Sequence, residues 1–171
     1  MSSLVHLGRA AMGRAELLSP LEAMPVRGDL VPAEAGVRGS RASDAMTPSP
    51  VTVHANASMW SAWDRLRAAG TRHLVVVDDS RRPVGVLDDR TLAMEWPPGP
   101  MGARRTPVHV LLRGAGRPRV HGADDVATVA RIMLDADVDA VPVVDRDGRL
   151  LGLVTLRAFA ELVQVRPTGT G

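Results

Sequence analysis

The feature that most restricts the fold of this chain is an internal repeat. Residues 51–92 align without gaps on residues 118–159, at an offset of 67 positions. The identical pairs include Val53/Val120, His54/His121, Ala69/Ala136, Val77/Val144, Asp78/Asp145, Arg82/Arg149, Gly85/Gly152 and Arg90/Arg157. The apolar positions agree along both copies as well. A repeat of this kind indicates two copies of one supersecondary unit that stack to bury a common core.

Each copy shows the same order of predicted elements. Val51 and Val53, matched by Val120, indicate a short first strand, and apolar residues at spacings of three and four then indicate a helix. Two β-branched runs follow, at 74–77 and 141–144. Each is followed directly by Asp, as is typical of a buried strand that enters a turn.

Return strands are predicted at 84–87 and 150–154. A last helix is predicted at 155–163, whereas prolines at 96–100 shorten its counterpart in the first copy. The fold class is therefore α/β, of the α+β type, with two β-α-β-β-α repeats.

Polar residues and glycines mark where the central helices begin and end. Asn56 or Ser58 is expected to cap the first helix, and Asp124 the second, because their side chains accept hydrogen bonds from exposed amides. Gly70 is expected to end the first helix, since glycine adopts left-handed geometry at little cost. Asp147 and Gly148 predict a tight hairpin in the second copy.

The composition excludes several function classes. The 21 basic residues are all arginine, and the net charge of +2 is small, so the pI near 10.7 does not indicate a polyanion-binding protein. The absence of cysteine excludes disulfides and thiolate metal sites. No apolar run approaches the roughly 18 residues of a membrane span. We expect a cytoplasmic protein that binds neither membrane nor nucleic acid.

The flanking segments differ from the repeats in composition. The predicted organisation is an N-terminal arm at 1–40, with a helix at 4–18, then repeat 1 at 41–95. A linker rich in Pro, Gly and Arg follows at 96–107, then repeat 2 at 108–165 and a tail at 166–171.

The two copies together resemble a tandem pair of CBS domains, or Bateman module. The residues that carry the resemblance are Asp44-Ala-Met-Thr47, LVVVDD with its return strand GVLDDRTL, and VPVVDRDG with its return strand GLVTLRAF. The resemblance implies that the copies pack through their sheets about a pseudo-twofold axis. It also implies clefts that bind AMP, ADP, ATP or S-adenosylmethionine.

The cleft motif of this family is Gly, two variable residues, Ser or Thr, two more residues, then Asp. Its hydroxyl and the amides at the helix start receive phosphate, and its Asp accepts the ribose hydroxyls. The second copy has Gly152 and Thr155, but Ala158 at the Asp position. The first copy has Asp88 at the hydroxyl position and Thr91 at the Asp position.

The resemblance assigns a ligand site to the second copy. The candidate residues are Thr47, Arg72, Ala140, Pro142, Gly152, Thr155 and Arg157. Thr155 and Arg157 would contact phosphate, and Pro142 would lie beside the base. Each also has a purely structural interpretation, because a Thr that opens a helix is commonly a cap and scattered arginines are commonly solvated.

The arginines at 113, 117 and 119 are further candidates that would compensate for the affinity lost with the ribose Asp. In the first copy, Asp88 and Asp89 are expected to repel phosphate or simply to stabilise a helix N-terminus. The paired His54 and His121 could form a metal site, but a matched turn position explains them more simply.

Two functions remain open from the sequence. One is a stand-alone, non-enzymatic regulatory module that senses an adenosine-type ligand, needs no permanent cofactor, and acts on an unidentified regulated protein. The other is a degenerate pair that serves as a dimerisation or docking scaffold. Family members pair through their helices, so a homodimer is expected, with Trp60 at its surface. No catalytic triad, P-loop or dinucleotide motif indicates an enzyme.

Overall fold

The computed structural model describes residues 39–99, 101–112 and 117–164. The predicted helix at 4–18, Arg113 and the tail lie outside the described residues. In chain order the helices are α1 (Ala42–Ala45), α2 (Met59–Ala69), α3 (Asp89–Met94), α4 (Gly102–Arg105), α5 (Val126–Asp135) and α6 (Leu156–Gln164), with a 3₁₀ turn at Val108–Leu111. The strands are β1 (Thr47–Pro48), β2 (Thr52–His54), β3 (His73–Val77), β4 (Pro83–Asp88), β5 (Val120–His121), β6 (Ala140–Val144) and β7 (Leu150–Thr155).

The strands form two sheets that share one topology. Repeat 1 forms the sheet β2-β3-β4, and repeat 2 forms the sheet β5-β6-β7 with β1 added beside β7. In each repeat the first pair is parallel and the second antiparallel. Even the register shift recurs, at Val76/Val77 and at Val143/Val144. The predicted order β-α-β-β-α is therefore confirmed in both copies.

The helix termini match the sequence predictions with one exception. Ser58 Oγ accepts a hydrogen bond from Ser61 N at 3.2 Å, and Gly70 ends α2 with φ of 61°. The predicted cap Asp124 is wrong, because α5 begins at Val126 and its N-cap is Asp125, whose carboxylate accepts from Ala127 N at 2.7 Å. Asp124 lies one residue too early and closes the preceding turn.

Each repeat is completed by the segment that precedes the other repeat. Residues 40–46 pack against the start of α5, where Ala42 N donates to Asp124 O at 2.8 Å. Residues 101–112 pack against the start of α2, where Met59 N donates to Thr106 O at 2.9 Å. Ala42 and Ala103 on these segments are buried in the cores of their host repeats. The two repeats therefore exchange short helical segments.

Three apolar clusters organise the interior. One fills each repeat between its sheet and its helices, and the third joins the two sheets through Val75, Ala140 and Leu153. All three of these residues are buried. The predicted sheet-to-sheet packing of the repeats is therefore confirmed.

Candidate functional site

Among the clefts that the described residues form between the repeats, two are lined by equivalent positions of the two copies. The larger, of about 640 Å³, is named here the Thr155 cleft, and the smaller, of about 350 Å³, the Thr91 cleft. Each combines the start of the second strand of one repeat with the strand-to-helix junction of the other. Both volumes lie within or near the range of small-molecule sites, about 300–1,000 Å³.

The structure divides the predicted site residues between these clefts. Four of them line the Thr155 cleft, namely Thr47, Arg72, Thr155 and Arg157. Ala140 and Pro142 line the Thr91 cleft, and Gly152 lines neither. The sequence predicts a single cleft for all of these residues, whereas the pseudo-twofold arrangement brings β6 of repeat 2 to the helix start of repeat 1.

Thr155 both caps a helix and faces a cleft. Its Oγ1 accepts a hydrogen bond from Ala158 N at 3.2 Å, at the start of α6. A hydroxyl can accept and donate at once. Because the cap uses only an acceptor lone pair, the proton of Thr155 is free to donate to a ligand oxygen. The structural and the functional interpretations of this residue are therefore compatible.

The equivalent junction of repeat 1 uses a carboxylate instead. Asp88 is the N-cap of α3 and accepts a hydrogen bond from Thr91 N. Asp89 pairs with Arg72, with Oδ1 and Nε 3.7 Å apart. Neither carboxylate lines the Thr91 cleft, whose described lining contains Arg117 and Arg119 and no acid. The helix-stabilising role considered for Asp88 is the one that the structure shows.

The arginines of the two clefts are engaged to different degrees. Arg157 Nε donates to Glu161 Oε1 at 2.9 Å, and its side chain is 87% exposed. Arg72 is also mostly exposed. Exposed ion pairs of this kind contribute little free energy, so either arginine can turn to a ligand at small cost. Arg117 instead donates to the carbonyls of Val84 and Leu112 and holds the connecting segment.

His73 and Asp139 also line the Thr155 cleft, and no sequence motif marks them. His73 Nε2 and Asp139 Oδ1 lie 3.2 Å apart, and the two residues belong to different repeats. His73 aligns with Ala140 and Asp139 aligns with Arg72, so alignment of the two copies shows no His–Asp pattern. Only the contact between copies reveals it.

The repeated glycines have a packing role. A Cβ added at Gly152 would lie 2.4 Å from Met46 Sδ, and one added at Gly85 would lie 2.6 Å from Leu112 Cδ2. Such separations are far below van der Waals contact. Met46 and Leu112 belong to the two exchanged segments. The glycines therefore admit these segments onto the return strands.

The repeated histidines end β2 and β5, and each lies near a carboxylate of its own repeat. His54 Nε2 is 2.9 Å from Asp79 Oδ1, and His121 Nδ1 is 4.0 Å from Asp124 Oδ2. Within the described ranges, no group of three or more His, Asp or Glu side chains is placed to hold a metal ion. No helix in this part of the chain has both the length and the apolar character needed to cross a membrane.

An aromatic cluster lies on the helical side of repeat 1. The ring centroid of Trp96 is 6.2 Å from that of Trp60 and 5.8 Å from that of Trp63. The guanidinium of Arg104 lies 4.5 Å above Trp60, in cation–π geometry. Trp60 is 43% exposed, and Met94 and Met101 also expose much of their side chains. Trp60 lies in α2, Met94 ends α3, and Met101 immediately precedes α4.

Comparison with known proteins identifies both repeats. The sequence model of the CBS domain matches residues 42–96 and 117–164. The magnesium transporter MgtE of Thermus thermophilus is 30% identical over 128 residues, which are 72% of this chain and 27% of the transporter. An uncharacterized protein of Methanopyrus kandleri is 26% identical over 106 residues, which are 60% of this chain and 50% of that protein. The chain thus spans half or less of the length of these relatives.

Two similar solved structures contain adenosine compounds. The CBS domain pair of protein MJ0100, in complex with 5′-methylthioadenosine and S-adenosyl-L-methionine, is 25% identical with a TM-score of 0.61, covering 73% of this chain and 96% of that one. The cytosolic domain of the Mg²⁺ channel MgtE, in complex with ATP, is 30% identical with a TM-score of 0.60, covering 76% of this chain and 51% of that one.

Proposed function

Because this chain belongs to the CBS domain family, we propose that it is a regulatory module that binds an adenosine-containing ligand in the Thr155 cleft. The observation that carries this proposal is the convergence of four predicted residues from both repeats on one cavity of about 640 Å³. The bound compounds of the two similar solved structures support the ligand class.

The lining of the cleft suits such a ligand. Val51, Pro50 and Leu153 offer apolar contacts for a base, while Thr155, Arg72 and Arg157 offer hydrogen-bond donors. A mostly apolar wall with a few convergent polar groups is the usual composition of a ligand site. The two arginines also suit a ligand that carries an anionic group.

Regulation would follow from the position of the cleft between the repeats. A ligand that touches β7 of one repeat and the start of β3 of the other favours one packing of the two sheets. A ligand shifts a conformational equilibrium only through its different affinity for the two states. The change in packing would be read by a separate regulated protein.

The test is ligand-induced thermal stabilisation with AMP, ADP, ATP, S-adenosylmethionine and NAD, each with and without Mg²⁺. Saturable stabilisation of the wild type is expected, since a ligand at 100 times its Kd adds about 2.7 kcal/mol. Loss of the Thr155 donor should weaken binding by about 1 kcal/mol or more. No shift with any of these compounds at millimolar concentration would refute the proposal.

Thr155→Asp separates the two roles of this residue. Asp88 shows that a carboxylate caps the equivalent helix, so the variant keeps the cap while it loses the donor and gains a negative charge. Its stability without ligand should remain near that of the wild type, while binding of anionic ligands should fall sharply. Thr91→Val, in the other cleft, is the matched control and should leave binding unchanged.

A second candidate, a homodimeric scaffold without nucleotide binding, is favoured by the exposed apolar side chains of Trp60, Met94 and Met101 on the helices of repeat 1. We expect a concentration-dependent dimer in sedimentation velocity experiments, and Trp60→Glu should dissociate it. A monomer at all concentrations, together with ligand-induced stabilisation, would exclude the scaffold.

A further inference from the structure

Ala158 leaves the motif of repeat 2 without a carboxylate, yet the Thr155 cleft contains one. Of the described residues that line this cleft, only Asp139 is acidic. Asp139 comes from the loop before β6, outside the motif. We propose that Asp139 is the hydrogen-bond acceptor for the ribose diol of the ligand, in the place that the motif leaves empty.

A backbone hydrogen bond fixes Asp139 beside the start of α6, the helix that Thr155 caps. Leu156 N, the first amide of α6, donates to Asp139 O at 3.0 Å. Ala140, the next residue, pairs with Thr155 across the sheet. The backbone thus places Asp139 at the strand-to-helix junction that carries Thr155, and both residues line the same cleft.

The carboxylate of Asp139 is oriented by a contact with His73 that engages only one of its two oxygens. Oδ1 lies 3.2 Å from His73 Nε2, and the side chain of Asp139 is 54% exposed. That of His73 is only 15% exposed, so the imidazole forms a fixed anchor. Within the described part of the chain, Oδ2 of Asp139 has no hydrogen-bond partner.

The chemistry of a vicinal diol matches this arrangement. Two neighbouring hydroxyls offer two donors, and an ionised carboxylate is an acceptor with several lone pairs. Hydrogen bonds to a charged acceptor are stronger than those between neutral groups. A carboxylate that accepts from ribose hydroxyls is a recurrent means of recognising nucleosides. The hydroxyl groups that line the same cleft, on Thr47, Ser49, Thr71 and Thr155, offer no negative charge.

This inference rests on the proposed function, and its test uses the ligand to distinguish the two. Dissociation constants of adenosine and 2′-deoxyadenosine are measured by NMR titration against the full chain. The wild type should bind adenosine about tenfold or more tightly, since the deoxy analogue lacks one donor to a charged acceptor. Asp139→Asn should bind both nucleosides with nearly equal, weak affinity.

Two further variants exclude a merely structural effect. His73→Ala removes the anchor but keeps the carboxylate, so the preference for adenosine should persist even if both affinities fall. Asp137→Asn changes a carboxylate in the same loop that does not line the cleft, and should behave as the wild type.

An unchanged preference for adenosine in Asp139→Asn would overturn the inference and leave the proposed function intact. Loss of the preference in His73→Ala would also overturn it, because the ion pair rather than the acceptor would then be responsible. Failure of the wild type to prefer adenosine over 2′-deoxyadenosine would overturn this inference, whereas the proposed function falls only if none of the compounds in the thermal-shift test stabilises the protein.

Discussion

Replacing Gly152 by alanine tests the exchange of segments directly. The added Cβ would lie 2.4 Å from Sδ, 2.8 Å from Cγ and 3.0 Å from Cβ of Met46. Carbon contacts are optimal near 3.5–4.0 Å, so Met46 must move by about 1 Å. Because the crowding extends to Met46 Cβ, rotation of the terminal methyl alone cannot relieve it.

The cost follows from the size of this displacement. Overpacking a well-packed site costs about 1–3 kcal/mol, and the lower chain entropy of alanine returns about 0.5–1 kcal/mol. Gly152→Ala should therefore destabilise the fold by about 1–2 kcal/mol in urea unfolding. In a Met46→Ala background the contacts with Sδ and Cγ are gone and only the 3.0 Å contact with Cβ remains, so the same change should cost clearly less.

A double-mutant cycle measures the coupling energy between Gly152 and Met46, which tests whether the two residues are in contact. Residues in contact show coupling energies of about 0.5–3 kcal/mol, and about 1 kcal/mol is expected between positions 46 and 152. Gly85→Ala with Leu112→Ala is the matched pair in repeat 1. Its coupling should be smaller, since the closest contact there is the Cδ2 methyl at the end of the side chain. Coupling near zero at 46 and 152 would refute the packing role of the glycine.

Three other changes test the structure at separate points. Arg81 has φ of 60°, at the position where repeat 2 has Gly148, so Arg81→Gly should stabilise by up to about 1 kcal/mol in thermal unfolding; destabilisation would contradict a strained loop. Asp125→Ala should cost about 1 kcal/mol and Asp124→Ala less, if the cap is assigned correctly. Deletion of residues 1–46 should destabilise repeat 2, because it removes the buried Ala42; native-state hydrogen exchange in α5 measures the loss.

The sequence was sufficient to predict the strands, helices and turns that occur in both repeats. Strands, helices and turns depend on local residue patterns, and each pattern occurs in both copies, so the two copies support the same assignment independently. The one error in the helix caps, Asp124, came from two adjacent aspartates that are equally good caps by residue type. Only the start of α5 at Val126 distinguishes them.

The candidate site was harder to predict from the sequence, because its residues come from both repeats and differ in type at corresponding positions. Thr155 could be found from a motif, but Asp139 lies opposite His73 only after the two sheets pack. Pro142 was assigned to the cleft of its own repeat, although it lines the other. Clefts that combine both copies cannot be derived from either copy alone.

The exchanged segments have a consequence for how this chain assembles. A polypeptide cut within 97–100 would yield two fragments, each carrying the short helix that closes the other fragment's core. Neither fragment has its full interior until both are present, so neither should fold separately. Mixed together, they should recombine as a heterodimer without the covalent connection. The loop that joins the repeats therefore acts chiefly as a tether that raises the local concentration of one half around the other.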